Sequence, residues 1–100
     1  MPTISKALFR GAASTSSTTL YTVPSSTTAI VTNIVIDNTS ASEQTVTINL
    51  NGTALISSAP IAANASAFFD LKQTLAATQT ITGLASATSV TFHISGVEIS

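Results

Sequence analysis

The groups that could do chemistry in this chain are few. His93 is the one histidine, cysteine is absent, and the carboxylates are Asp37, Glu43, Asp70 and Glu98. A histidine general base needs a nucleophile or a substrate proton within hydrogen-bond reach. In "SVTFHISG", His93 shares the parity of Thr91 and Ser95, opposite Val90, Phe92 and Ile94, so it reads as a surface residue. One histidine without cysteine cannot build a common structural zinc site. Hydrolysis by paired carboxylates needs two of them facing each other across a cleft, and Asp37, Asp70 and Glu98 are scattered. Asp37, beside Asn38, reads as a turn former, and Asp70 as a partner of Lys72 on the same strand face. The serines lack the glycine pattern of a nucleophile elbow. "SASE" (Ser40–Glu43) matches a helix capping box, but strand-like "QTVTINL" follows it. These residues predict a protein that is not an enzyme and holds no cofactor or metal.

Composition points the same way. Charged residues make up 7% of the chain, against about 25% in an average soluble domain. Serine and threonine supply roughly a third. Disorder combines high net charge with low hydrophobicity; here the net charge is −1 and the hydrophobic fraction 44%, so the chain is expected to fold. Threonine is β-branched, and its hydroxyl suits the wet face of a sheet. Lys6, Arg10 and Lys72 are the only cations, too few to cluster on phosphates, so nucleic acid is not an expected partner. The aromatics Phe9, Tyr21, Phe68, Phe69 and Phe92 do not interleave with basic residues, which removes a base-stacking platform. No apolar run reaches the length of a membrane span, and "MPTISKALFRGAAS" lacks the long apolar core of a secretory signal. A near-neutral surface repels its own copies weakly, as suits an assembly component.

A chain of 100 residues is one domain. Its first ten residues carry Ile4, Leu8 and Phe9 with Lys6 and Arg10, and "GAASTSS" follows. That composition predicts an extended arm and flexible connector over 1–17, ahead of a body over 18–100. Such an arm docks either on its own sheet edge or on a neighbour.

Strand patterns then follow one another. "TTLYTV" (Thr18–Val23) precedes Pro24. "TAIVTNIVIDN" carries Ile30, Ile34 and Ile36 on one parity and Val31 and Val35 on the other, which predicts burial on both sides. "TVTINL" alternates with Val46, Ile48 and Leu50 inward. Asn51–Gly52 predicts a two-residue type I′ hairpin pairing Leu50 with Thr53 and Ile48 with Leu55, so that Leu55 joins the inner face. Ala67–Leu71 and Thr78–Leu84 read as further strands. In the last strand, a bulge at Gly96 would return Val97 and Ile99 to the side of Val90, Phe92 and Ile94. The expected fold is all-β: an antiparallel β-sandwich, jelly-roll- or Ig-like, with the N-terminal arm. Phe68 and Phe69 are adjacent, so on a strand one faces the core and the other faces out. They are the candidate subunit interface, the alternative being an edge phenylalanine covered by a loop.

The segments "LYTVPSSTTAIVTNIVIDNTS", "TVTINLNGTALISSAPIAANASAFFDL", "QTITGLAS" and "VTFHISGVEI" together resemble a group of small tailed-bacteriophage virion proteins. The resemblance covers roughly Leu20 to Ile99. It implies a β-sandwich placed in several copies on a virion, as a capsid decoration (cement) protein or a small tail component, and it carries no catalytic residues. The expected role is therefore structural: a homotrimer on the capsid exterior, partnered by the major capsid protein. Its arm would lay Ile4, Leu8 and Phe9 on the shell as apolar anchors, with Lys6 and Arg10 meeting shell carboxylates. Deleting Met1–Arg10 would then leave a folded body that no longer binds capsids. The alternatives are a minor tail or head–tail connector protein, and a sugar-binding or adhesive β-sandwich module.

Overall fold

The computed structural model describes residues 3–100. Its elements are β1 (Thr3–Ala12), β2 (Thr18–Thr22), β3 (Thr28–Asn38), β4 (Gln44–Leu50), β5 (Thr53–Ile61), β6 (Ser66–Leu75), β7 (Thr80–Ala85) and β8 (Val90–Ile99). All pairings are antiparallel. One sheet, here called A, runs β1-β8-β3-β6, and the other, B, runs β2-β7-β4-β5. Within the two sheets β1 lies beside β8, β2 beside β7, β3 beside β6 and β4 beside β5. This is the order of a long hairpin rolled onto itself, the jelly roll. It decides between the two sandwich topologies left open by the sequence.

The core lies between the sheets. Ile34, Ile36, Phe92 and Ile94 of sheet A and Val46, Ile48 and Ile81 of sheet B have no exposed surface. Period-two alternation places Val46 and Ile48 inward, as expected, and keeps Val90, Phe92 and Ile94 on one side of β8. Asn51 and Gly52 have φ of 48° and 81°, and Leu50 pairs with Thr53, as the type I′ turn requires.

Elsewhere bulges reset the alternation. In β3 the register shifts between Val31 and Asn33 against both β8 and β6. Ala29 and Val31 face inward before the shift, and Ile34 and Ile36 after it. The mixed parity of β3 is thus one-sided burial with a bulge, and Ile30 and Val35 are only half-buried. No bulge occurs at Gly96: β8 alternates without a break, and Val97 and Ile99 face outward, half-buried. The bulges sit in its neighbours, at Leu8 of β1 and Thr32 of β3. The β3 backbone lies close against Gly96, where a Cβ would overlap the Ile30 carbonyl oxygen and lie 2.9 Å from Leu8 Cδ1. Two shifts in β5 likewise pair Ile48 with Ile56 instead of Leu55. Ile56 takes the inner position, and Leu55 is exposed.

The N-terminal segment is a strand of the body. β1 pairs with β8 from Thr3↔Ile99 to Ala12↔Thr91, so of the two places open to the arm it occupies its own sheet edge. Met1 and Pro2 lie outside the described residues. The connector closes onto the same sandwich: Ala13 is buried and donates its N–H to Val90 O at 2.8 Å, and Ala85 donates to Ser14 O at 2.9 Å. A boundary at residue 17 therefore does not separate a free arm from a body.

Asn38 ends β3 with no exposed surface. Its Nδ2 donates to the carbonyls of Ser42 (2.9 Å), Ile61 (3.0 Å) and Ala62 (3.2 Å). Its Oδ1 accepts from Ser40 N (3.0 Å) and Ser40 Oγ (2.7 Å). One amide thereby ties the loop after β3 to the end of β5, meeting the requirement that a buried polar group be hydrogen-bonded.

Candidate functional site

The five arm residues do not form one contact surface. Leu8, the bulged residue of β1, is buried in the core, and Phe9 packs half-buried against it. Neither is available as an anchor for a partner. Lys6 pairs with Glu98 of its own chain, Nζ to Oε1 at 3.4 Å. Ile4 is 53% exposed, and Arg10 is exposed on the outer face of sheet A opposite His93. Deleting Met1–Arg10 would remove most of an edge strand and the Leu8 side chain, so it cannot separate docking from folding.

The Lys6–Glu98 pair belongs to a larger polar tie. Tyr21 of β2 donates its hydroxyl to Glu98 Oε2, linking sheet B to sheet A. The Glu98 side chain is only 12% exposed. Burial first, then the hydrogen bond to Glu98 and its negative charge, push the Tyr21 phenol well above its ordinary value. The three residues stand 77 and 92 positions apart in sequence, so no local pattern could have announced them. Their arrangement fastens the two sheets at the β1–β2 side.

The remaining sequence candidates are dispersed. His93 is half-buried on the outer face of sheet A, between Arg10 of β1 and Val35 of β3. Asp37 accepts a hydrogen bond from Ser66 Oγ at 3.0 Å. Asp70 and Lys72 are both exposed on β6, and neither has an ion-pair partner among the described residues. Among these residues no three His, Asp or Glu side chains gather in a way that could hold a metal ion.

What does gather is apolar. β5 and β6 are the edge strands of their sheets on one flank of the sandwich. Between them runs a groove of about 390 Å³ lined by Leu55, Ile56, Phe68, Phe69, Asp70 and Leu71. Phe69 pairs with Ile34 and packs on the core, while Phe68 faces out and is 72% exposed. The adjacent phenylalanines therefore split between the two faces, as the strand geometry requires. Leu55 and Leu71 were missed as members of this surface. Leu55 is placed here by the slips in the β5 register, beside Ser58 with its φ of 46°; the pair Ser57–Ser58 does not announce them, since Ser16–Ser17 and Ser25–Ser26 repeat it.

The outer face of sheet B carries Thr45, Thr47 and Asn49 of β4 and Thr80, Thr82 and Leu84 of β7, with Thr47 opposite Leu84 and Asn49 opposite Thr82. No charged residue occurs in any of its four strands.

No protein-family model matches the chain, and no curated protein matches it at a significant level.

Proposed function

We propose that this chain is a structural protein of a phage virion, docked in several copies on the capsid exterior against the major capsid protein. The observation that carries the reading is the exposed apolar flank, Phe68 with Leu55, on a chain with almost no charge. Exposed apolar patches of this kind mark surfaces that meet another protein. The uncharged threonine face of sheet B supports the same reading, since threonine packs against a neighbour without the desolvation cost of a charge. The resemblance over Leu20 to Ile99 supplies the virion. The jelly roll is used by viral capsid domains and by lectins alike, so the fold does not choose between them. Docking proceeds through outer faces and the flank, with Ile4 and Arg10 as the arm residues still able to take part.

The test is the copy number of the chain in purified particles, measured by quantitative mass spectrometry against the major shell protein. A ratio near that of the shell subunit is expected. A trace ratio moves the protein to the tail or connector, and absence from particles refutes the virion reading. A second reading, a sugar-binding module, is favoured by the exposed Phe68 beside Asp70 in the groove. Glycan-array binding that is lost in Phe68→Ala would bring it forward.

A further inference from the structure

We propose that β6 is a self-association edge, on which two copies of this chain pair antiparallel about a two-fold axis at Leu71. The two A sheets would join into one eight-stranded sheet, and the apolar groove of each copy would close against its partner. This inference stands on the edge itself and does not depend on a virion.

Sheet edges present unpaired N–H and C=O groups, and proteins blunt them with short strands, proline, bulges or charge. β2 is five residues long with a register shift, and β5 has two shifts and Pro60. β1 is long, but self-pairing about Leu8 would set Lys6 against the partner's Arg10, two like charges. β6 is ten residues long, contains no proline and exposes Phe68; its ladder with β3 slips where Leu71 and Lys72 stand opposite Thr32, but its own inward–outward alternation runs unbroken from Ser66 to Lys72.

Its charges then select one register. A two-fold axis normal to the sheet keeps outer faces together, so only residues of equal parity can oppose each other. About Asp70, that carboxylate would meet its own copy. About Phe69, Phe68 would meet the partner's Asp70. About Leu71, Asp70 meets the partner's Lys72 and Lys72 meets the partner's Asp70, so both charges left unpaired in the single chain gain a partner. The same register pairs Ala67 with the partner's Leu75 and so covers nearly the whole strand. It also sets the two Leu71 side chains together beside the groove that they line. Opposite charges directly across a strand pair stabilise it and like charges destabilise it.

Analytical ultracentrifugation of the full chain at micromolar concentration is expected to show a dimer. Asp70→Lys alone, or Lys72→Asp alone, turns both cross-strand pairs into like-charge pairs and should weaken association at least about tenfold. The combined variant, Asp70→Lys with Lys72→Asp, restores opposite charges and should restore the dimer. A monomeric wild type overturns the proposal. So does a trimer, which needs a heterologous contact, or a swap variant that folds but stays monomeric. Leu71→Cys gives a second reading, because the natural chain has no cysteine. Directly opposed Cα atoms of an antiparallel pair stand about 4.5–5.5 Å apart, within disulfide reach. Oxidation should therefore cross-link this variant to a dimer, and failure to cross-link overturns the two-fold axis at Leu71.

Discussion

Replacing Asn38 by Asp changes one NH2 group to an oxygen and should add a pH dependence that the uncharged amide cannot have. The Nδ2 atom faces three carbonyl oxygens at 2.9, 3.0 and 3.2 Å, with no exposed surface. A carboxylate oxygen there would meet three acceptors and no donor. An unpaired buried charge avoids this by staying protonated. In the unfolded chain the new carboxyl titrates near its ordinary value of about 3.9. In the folded chain its pKa is raised, so the folded state holds the proton longer. Stability is then fully present below about pH 4 and is lost as pH rises toward the folded pKa. A rise of two to three units corresponds to about 3–4 kcal/mol at pH 7. For a domain of this size that lowers the Tm by roughly 12–30 °C. Asn38→Ala should lose about 3 kcal/mol at every pH, because it removes the same bonds without adding a charge. Thermal melts by circular dichroism from pH 4 to pH 8 separate the two. If Asn38→Asp melts within a few degrees of the natural chain at pH 7 with no pH slope, the amide is not the tie described.

Two further outcomes follow from contacts on the other side of the core. Gly96→Ala should cost about 1–3 kcal/mol or more, since the overlap is with the Ile30 backbone rather than with a movable side-chain tip; urea unfolding at constant m-value measures it, and an unchanged midpoint would mean that the β3 backbone does not lie close against Gly96. Tyr21 is the only tyrosine and tryptophan is absent, so its phenolate is read directly by absorbance. Its ionisation should lie above that of a free phenol, and stability should fall with pH above about 10, where the unfolded chain ionises first. Tyr21→Phe should remove that part of the fall and cost about 1–3 kcal/mol at neutral pH by leaving Glu98 Oε2 without its donor while Lys6 still pairs with Oε1; equal alkaline slopes in the two proteins would refute the tie.

Sequence periodicity was readable wherever a strand stays regular. The Asn51–Gly52 turn, the inward Val46 and Ile48, and the run Val90, Phe92, Ile94 all follow from positive φ or period two. The all-β sandwich follows from their number and spacing. Reading failed at bulges, because a bulge is a relation between two strands and leaves only a weak mark on either. At Ile48–Leu55 a count of two residues back from the turn is right only if β5 is unbroken, and its register slips there. Gly96 carries no bulge; its place in the fold is set by space, since a Cβ there would overlap the Ile30 carbonyl oxygen. The N-terminal segment reads as an arm from its composition and the low-complexity connector after it; the bulge at Leu8 hides the alternation that would mark it as a strand. The Lys6–Glu98–Tyr21 tie joins three strands that only the rolled topology brings together.

The placement of charge gives the sparse composition a physical meaning. Every charged residue within a strand belongs to sheet A: Lys6 and Arg10 on β1, Asp37 on β3, Asp70 and Lys72 on β6, and Glu98 on β8. Sheet B has none. A sheet face of threonine and asparagine can pack in many registers, because no single displacement leaves a charge unpaired. An edge strand with two like charges, as on β1, resists a second copy of itself. One with alternating opposite charges, as on β6, accepts a second copy in one register and resists it when shifted so that Asp70 meets Asp70. In a chain with only seven charged side chains, four of them stand on the two outer strands of one sheet, where they have the most influence on which neighbour is accepted. On the proposed reading, the surface dispenses with charge where it is covered and keeps charge where covering must be selective.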